Sequence, residues 1–149
     1  MIDLWLAIAH HLVVFTLVAI LAIQIALVRP GITAEEVIRL RRLDGFYGSL
    51  AGLILFIGIL RVTFGARGQE FYSENPVFWM KMAAFALVGL ISIQPTVKIY
   101  SWWQQAKGGG FFSAPEDEIA RVRQFLKAEA IVFVTIPAFA AAAARGVGL

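Results

Sequence analysis

The 149-residue chain contains no cysteine. That excludes disulfides, iron–sulfur clusters and thiolate metal sites, and it leaves the compartment open. Histidine is almost missing as well: the only two are the neighbours His10 and His11. No H-E-x-x-H pattern accompanies them, so nothing points to catalytic zinc. Charged residues make up 15% of the chain against 60% hydrophobic, with a mean hydropathy of +0.78. A soluble domain of this size needs more polar surface than that. The net charge of +3 is small, and no basic patch interleaves with aromatics, so no nucleic-acid partner is expected. Met1-Ile-Asp-Leu-Trp5 lacks the basic stretch of a secretory signal, and the apolar run after it is longer than a signal core. The expectation is a retained first span.

The chain does have apolar blocks long enough to cross ~30 Å of hydrocarbon. Four spans are expected, at about 4–28, 45–64, 77–100 and 123–145, within one transmembrane domain covering 1–149. The fold class is therefore all-α, an integral membrane four-helix bundle in contact with the lipid bilayer. Arg29-Pro30-Gly31 ends the first span. Thr33-Ala-Glu-Glu36 fits a capping box, and Val37, Ile38, Leu40 and Leu43 against Arg39, Arg41 and Arg42 predict a short amphipathic surface helix before the second span. Gly48-x-x-x-Gly52 predicts close packing against a neighbouring helix, with a flat ligand on bare backbone as the alternative. Asn75-Pro76 starts the third span, and Pro95 predicts a kink or early stop in it. Trp102 and Trp103 are expected in an interfacial belt, as are Trp5 and Trp79 at the other face. Residues 65–76 read as a polar loop and 107–112 as a flexible linker, and Ser113-Ala-Pro-Glu116 reads as a second capping box.

Basic residues concentrate in the first and third connections (Arg29, Arg39, Arg41, Arg42; Lys98, Lys107, Arg121, Arg123, Lys127), while the second has Arg67. The positive-inside rule then predicts a bacterial inner-membrane protein with both termini on the outer, periplasmic side.

Polar side chains inside the spans sort into two depths. The outer layer holds His10, His11, Arg61 and Lys81; the inner layer holds Gln24, Tyr47, Gln94, Thr96 and Glu129. Such residues in hydrocarbon are functional candidates. His10 and Gln24 lie two heptads apart on one helix face, as do Tyr47 and Arg61, which makes His10 rather than His11 the inward residue. A neutral imidazole is a good axial haem ligand, and Arg61 and Lys81 would complement porphyrin carboxylates. With one usable histidine, one haem b or other porphyrin per chain is the ceiling, with His10 on the iron. Lys81, Arg61 and Tyr47 are the candidates for any catalytic role. Plainer readings stand beside these: Arg61 and Lys81 as snorkelling anchors, and Glu129 paired with Arg123 or Lys127.

Leu43-Asp-Gly-Phe-Tyr-Gly48, Gly58-Ile-Leu-Arg-Val62, Phe71-Tyr-Ser-Glu-Asn-Pro-Val-Phe-Trp-Met-Lys81 and Ser92-Ile-Gln-Pro-Thr96 resemble an uncharacterised family of bacterial inner-membrane proteins, over nearly the whole chain. More distantly, the chain is similar to HemJ-type protoporphyrinogen oxidases and CopD-like copper-resistance membrane proteins. His10 followed by Thr16, Trp79-Met-Lys81 and Tyr47-Gly48 carry that likeness. It implies a haem-binding histidine in the first helix and an important lysine at the start of the third. Asp44-Gly45, Arg61 and Gln94-Pro95-Thr96 depart from the pattern.

The expected function is a haem- or porphyrin-binding membrane protein with an oxidoreductase-like role. The alternatives are a non-catalytic accessory subunit in a homo-oligomer or membrane complex, and a small oligomeric transporter using Glu129 and Gln94.

Overall fold

In the computed structural model, which describes residues 2–64, 73–108 and 112–145, the chain forms four helices. They are α1 (Ile2–Leu27), α2 (Ala34–Phe64), α3 (Pro76–Lys107) and α4 (Glu116–Ala144). The shortest has 26 residues, or roughly 39 Å at a rise of about 1.5 Å each. All four are long and apolar enough to span a membrane. Within the described residues α1 packs on α2, α2 on α3, α3 on α4 and α4 back on α1, leaving α1 diagonal to α3 and α2 diagonal to α4. Ile2 and Ala144 lie at the same end of the bundle, called here the terminal end.

Burial follows the heptad stripes read from sequence. Leu17, Leu21 and Gln24 of α1 are buried, and so are Tyr47, Ile54 and Ile57 of α2. The opposite faces are apolar yet exposed: Phe15 at 67%, Leu90 at 66%, Ile131 at 71% and Val134 at 72%. An apolar exterior wrapped around a core that holds Gln24, Asp44 and Glu129 requires an apolar solvent, which is lipid.

Several local expectations hold. Thr33 Oγ1 accepts from the Glu36 N–H at 3.3 Å, and Glu36 accepts from the Thr33 N–H at 2.9 Å. Asn75 caps α3 through Oδ1, which accepts from the Val77 N–H at 2.9 Å, with Pro76 at the first helical position. Arg29 closes the α1–α2 corner on Glu36 at 2.7 Å.

Others are corrected. The amphipathic segment before the second span is not a separate surface helix; it is the first three turns of α2, which runs unbroken from Ala34 to Phe64. The pattern of a surface helix and of a long helix projecting past the membrane is the same. Nothing at Leu43-Asp44-Gly45 breaks this one, because Asp44 is held by Arg41 and Thr96. Pro95 does not stop α3, which continues to Lys107, and α4 likewise contains Pro137. Packed neighbours tolerate such prolines inside membranes. Ser113 does not cap α4: Pro115 takes that position without a side-chain bond, and Glu116, Asp117 and Glu118 in the first turn complement the helix dipole instead. Trp102 is no belt residue. It is 1% exposed and its indole N–H donates to Glu118 at 2.9 Å. Trp5 and Trp79 are exposed, as a belt requires. The glycine seam is also not a contact within the chain, since no atom lies within 4 Å of a Cβ built at Gly48 or Gly52. α2 turns Tyr47 and Ile54 inward and leaves the glycines facing a groove. The loop around Arg67, and Gly109 to Phe111 of the linker, lie outside the described residues.

Candidate functional site

Two polar sites occupy the bundle. The first is at the terminal end. His10 is half-buried on the inward face of α1, and its Cε1 lies 4.0 Å from where a Cβ of Gly58 would stand. Glycine at 58 therefore leaves the α2 backbone open beside the imidazole. His10 Nδ1 is enclosed and has no hydrogen-bond partner among the described residues. His11 differs in both respects: it is exposed, and its Nδ1 is 2.6 Å from the Ala7 carbonyl. The two rings meet edge-on, with centroids 6.2 Å apart.

His10 and Lys81 border a cavity of about 430 Å³ that all four helices enclose, with Gly58, Phe85, Phe133 and Pro137 among its walls. That size lies within the range of small-molecule sites. Arg61 and Lys81 both lie within electrostatic reach of His10. The Lys81 ammonium stands 5.0 Å from the Phe78 ring centre, and no described carboxylate pairs with it. So α1, α2 and α3 each bring a basic or ligating group to one depth, as the sequence predicts. The chemistry of this donor set is specific: one imidazole nitrogen without a partner, two cations, and an apolar chamber opened by a glycine. It fits an apolar ligand carrying anionic groups. Tyr47 is not brought here; it lies fourteen residues from Arg61 on α2, or ~21 Å.

The second site lies toward the opposite end. Glu129 of α4 is 1% exposed and Gln24 of α1 is 2% exposed. The Tyr47 phenol meets the Glu129 carboxyl across the α2–α4 diagonal. Asp44 accepts from the Thr96 hydroxyl at 2.8 Å and is 3.5 Å from the Arg41 guanidinium. Arg41 in turn sits over the rings of Tyr100 and Trp103. Gln94 is half-buried, with an enclosed Oε1 that lacks a partner. Glu129 forms no ion pair with Arg123 or Lys127 among the described residues. Helix α4 turns Glu129 into the core while Lys127 stays exposed. A second cavity of about 630 Å³ opens between α2 and α3, lined by Asp44, Tyr47, Gly48, Gly52, Gly89 and Thr96. Leu55, Phe85 and Phe133 line both cavities.

Sequence reading missed Asp44 as a member of this layer. A signal for it was present: it precedes Tyr47 by three residues, which places both on one helix face. It also missed Gly58 as the residue beside His10.

The profile of one protein family, described as "Predicted membrane protein (DUF2214)", matches residues 2–148. The chain belongs to that family. The match covers all four spans and both polar layers, which makes the bundle the family's domain. No curated protein and no solved structure matches the chain. The comparisons give no support to the expected likeness to HemJ-type oxidases and CopD-like proteins.

Proposed function

We propose that the terminal-end cavity binds a porphyrin, most simply haem b, with His10 as the axial ligand to its iron. The observation that carries this reading is the apolar cavity that His10 and Lys81 border, with Arg61 of a third helix within electrostatic reach of His10. A lone cationic anchor would snorkel to the surface; two cations beside an imidazole at an apolar chamber suit a ligand with anionic groups. A porphyrin uses every member of the set. The imidazole takes the metal, Lys81 and Arg61 face the two carboxylates, and the bare backbone at Gly58 admits a flat ring. His10 is preferred to His11 because it is half-buried on the inward face of α1, beside the bare backbone at Gly58, whereas His11 is exposed. Haem, when bound, supplies one-electron redox chemistry; the chain supplies the binding, the charge and the exclusion of water.

On this reading the basic opposite end, with Arg29, Arg39, Arg41 and Arg42, faces the cytoplasm of a bacterial cell. The porphyrin cavity then lies in the periplasmic half of the inner membrane. The protein purified from haem-sufficient cells is expected to carry a Soret band. A colourless protein free of haem overturns the assignment.

A second reading, a non-catalytic subunit of a membrane complex, has the unfilled Gly48–Gly52 face in its favour. A stoichiometric partner that co-purifies with a chromophore-free protein selects it.

A further inference from the structure

The inner layer has a feature that the porphyrin reading does not use. Glu129 is 1% exposed, and its Oε1 has no hydrogen-bond partner among the described residues. A carboxylate taken from water into a low-dielectric interior costs several kcal/mol unless a cation or several donors compensate. Neither is present. From α2, Glu129 faces Tyr47, a neutral phenol, and Asp44, another acid. From α1, Gln24 is uncharged. On α3 the cation nearest in the chain to Gln94 is Lys98, which is bound to Glu118 at 2.6 Å. Arg41 is engaged by Asp44 and by two aromatic rings. On its own helix, Arg123 and Lys127 form no ion pair with Glu129.

We propose that Glu129 is a proton-binding site within the membrane, and that its proton enters and leaves through the Tyr47 hydroxyl. Tyr47 meets Glu129 on one side and lines the 630 Å³ cavity on the other. That cavity has room for several waters, and Asp44, Thr96 and Arg41 line it as well. The exchange balances without any further reactant. As Tyr47 gives its hydroxyl proton to the carboxylate, it takes one from a hydronium ion in the cavity, which is left as water; the reverse sequence returns the proton to a cavity water as hydronium. Asp44 is the cavity acid through which water meets the opposite end of the bundle. Leu55, Phe85 and Phe133 line both this cavity and the one beside His10. This inference is independent of the porphyrin reading.

Infrared spectroscopy of the intact protein in lipid vesicles tests it. The wild-type minus Glu129→Gln difference spectrum at neutral pH is expected to show the carbonyl stretch of a protonated carboxyl. Carboxylate bands at that position in the difference spectrum would overturn the proposal. Gln is the isosteric neutral replacement. Should that variant fail to fold, wild-type protein grown on carboxyl-13C glutamate decides the matter, because Glu129 is the one buried glutamate among the described residues. The carbonyl band must then move with the label, and an unmoved or absent band overturns the assignment. The route has its own readout. On transfer to heavy water the band shifts as the proton exchanges, and Tyr47→Phe is expected to slow that shift severalfold. An unchanged rate removes Tyr47 from the path.

Discussion

His10→Ala is expected to abolish haem binding by the purified protein, and His11→Ala to leave it nearly intact. The two residues are adjacent, have the same chemistry, and both border the same cavity, so the pair is its own control. Only His10 is half-buried, beside the bare backbone at Gly58. The His11 ring is exposed. Removing an axial ligand is expected to weaken binding more than about 100-fold, or ~2.7 kcal/mol. The measurement is haem titration of each variant in detergent, followed in the Soret region. Equal losses in the two variants would mean that the histidines act together or not at all.

Trp102→Ala is the most destabilising single substitution expected in the bundle. Trp102 is the largest of the fully buried side chains, and its indole N–H is one of two donors to Glu118, the other being Lys98. Truncation opens a cavity between α3 and α4 and withdraws a donor from the carboxylate. Large aromatic-to-alanine changes in cores cost about 3–5 kcal/mol. Trp102→Phe keeps most of the packing and loses mainly the hydrogen bond, for about 1 kcal/mol. Trp5→Ala removes an indole that is 64% exposed and is expected to change stability by less than about 0.5 kcal/mol. Thermal unfolding of the three variants in one detergent ranks them. If Trp102 were an interfacial anchor, Trp102→Ala and Trp5→Ala would fall together.

The pattern of those two tryptophans shows what the sequence discloses. An indole beside polar residues at a span end is read as interfacial, and Trp5 and Trp79 are exposed as that reading requires. For Trp102 the deciding partner is Glu118, on the next helix and across the linker, and one-dimensional pattern cannot place it. The same holds for Asp44 and Thr96, which are 52 residues apart and joined at 2.8 Å; only the antiparallel register of α2 and α3 brings them together. The spans themselves were legible because lipid imposes length and apolarity on each helix separately. The His10–Gln24 and Tyr47–Arg61 stripes were legible because a heptad repeats on one face without knowledge of the partner. Matching depth across helices then grouped His10, Arg61 and Lys81, since antiparallel spans of similar length share their ends. The Gly48–Gly52 pair marks the limit of that approach. A small-residue motif states that close approach is allowed, but not which surface approaches, and within this chain none does.

Both polar layers follow from the same economy. Each helix buries only a narrow stripe, and every ionisable group on that stripe is turned toward a cavity or toward another polar group. The terminal-end cavity presents cations and an imidazole; the opposite layer presents acids and a phenol.

The most direct test of the porphyrin reading is titration of haem b into the purified, haem-free protein, in parallel with Lys81→Glu. The account predicts a saturable Soret shift that ends at one haem per chain. It also predicts binding weaker by about 2–5 kcal/mol in Lys81→Glu, where a cation facing a carboxylate has been reversed in sign. A shift that never saturates, or one that saturates identically in the two proteins, would contradict it.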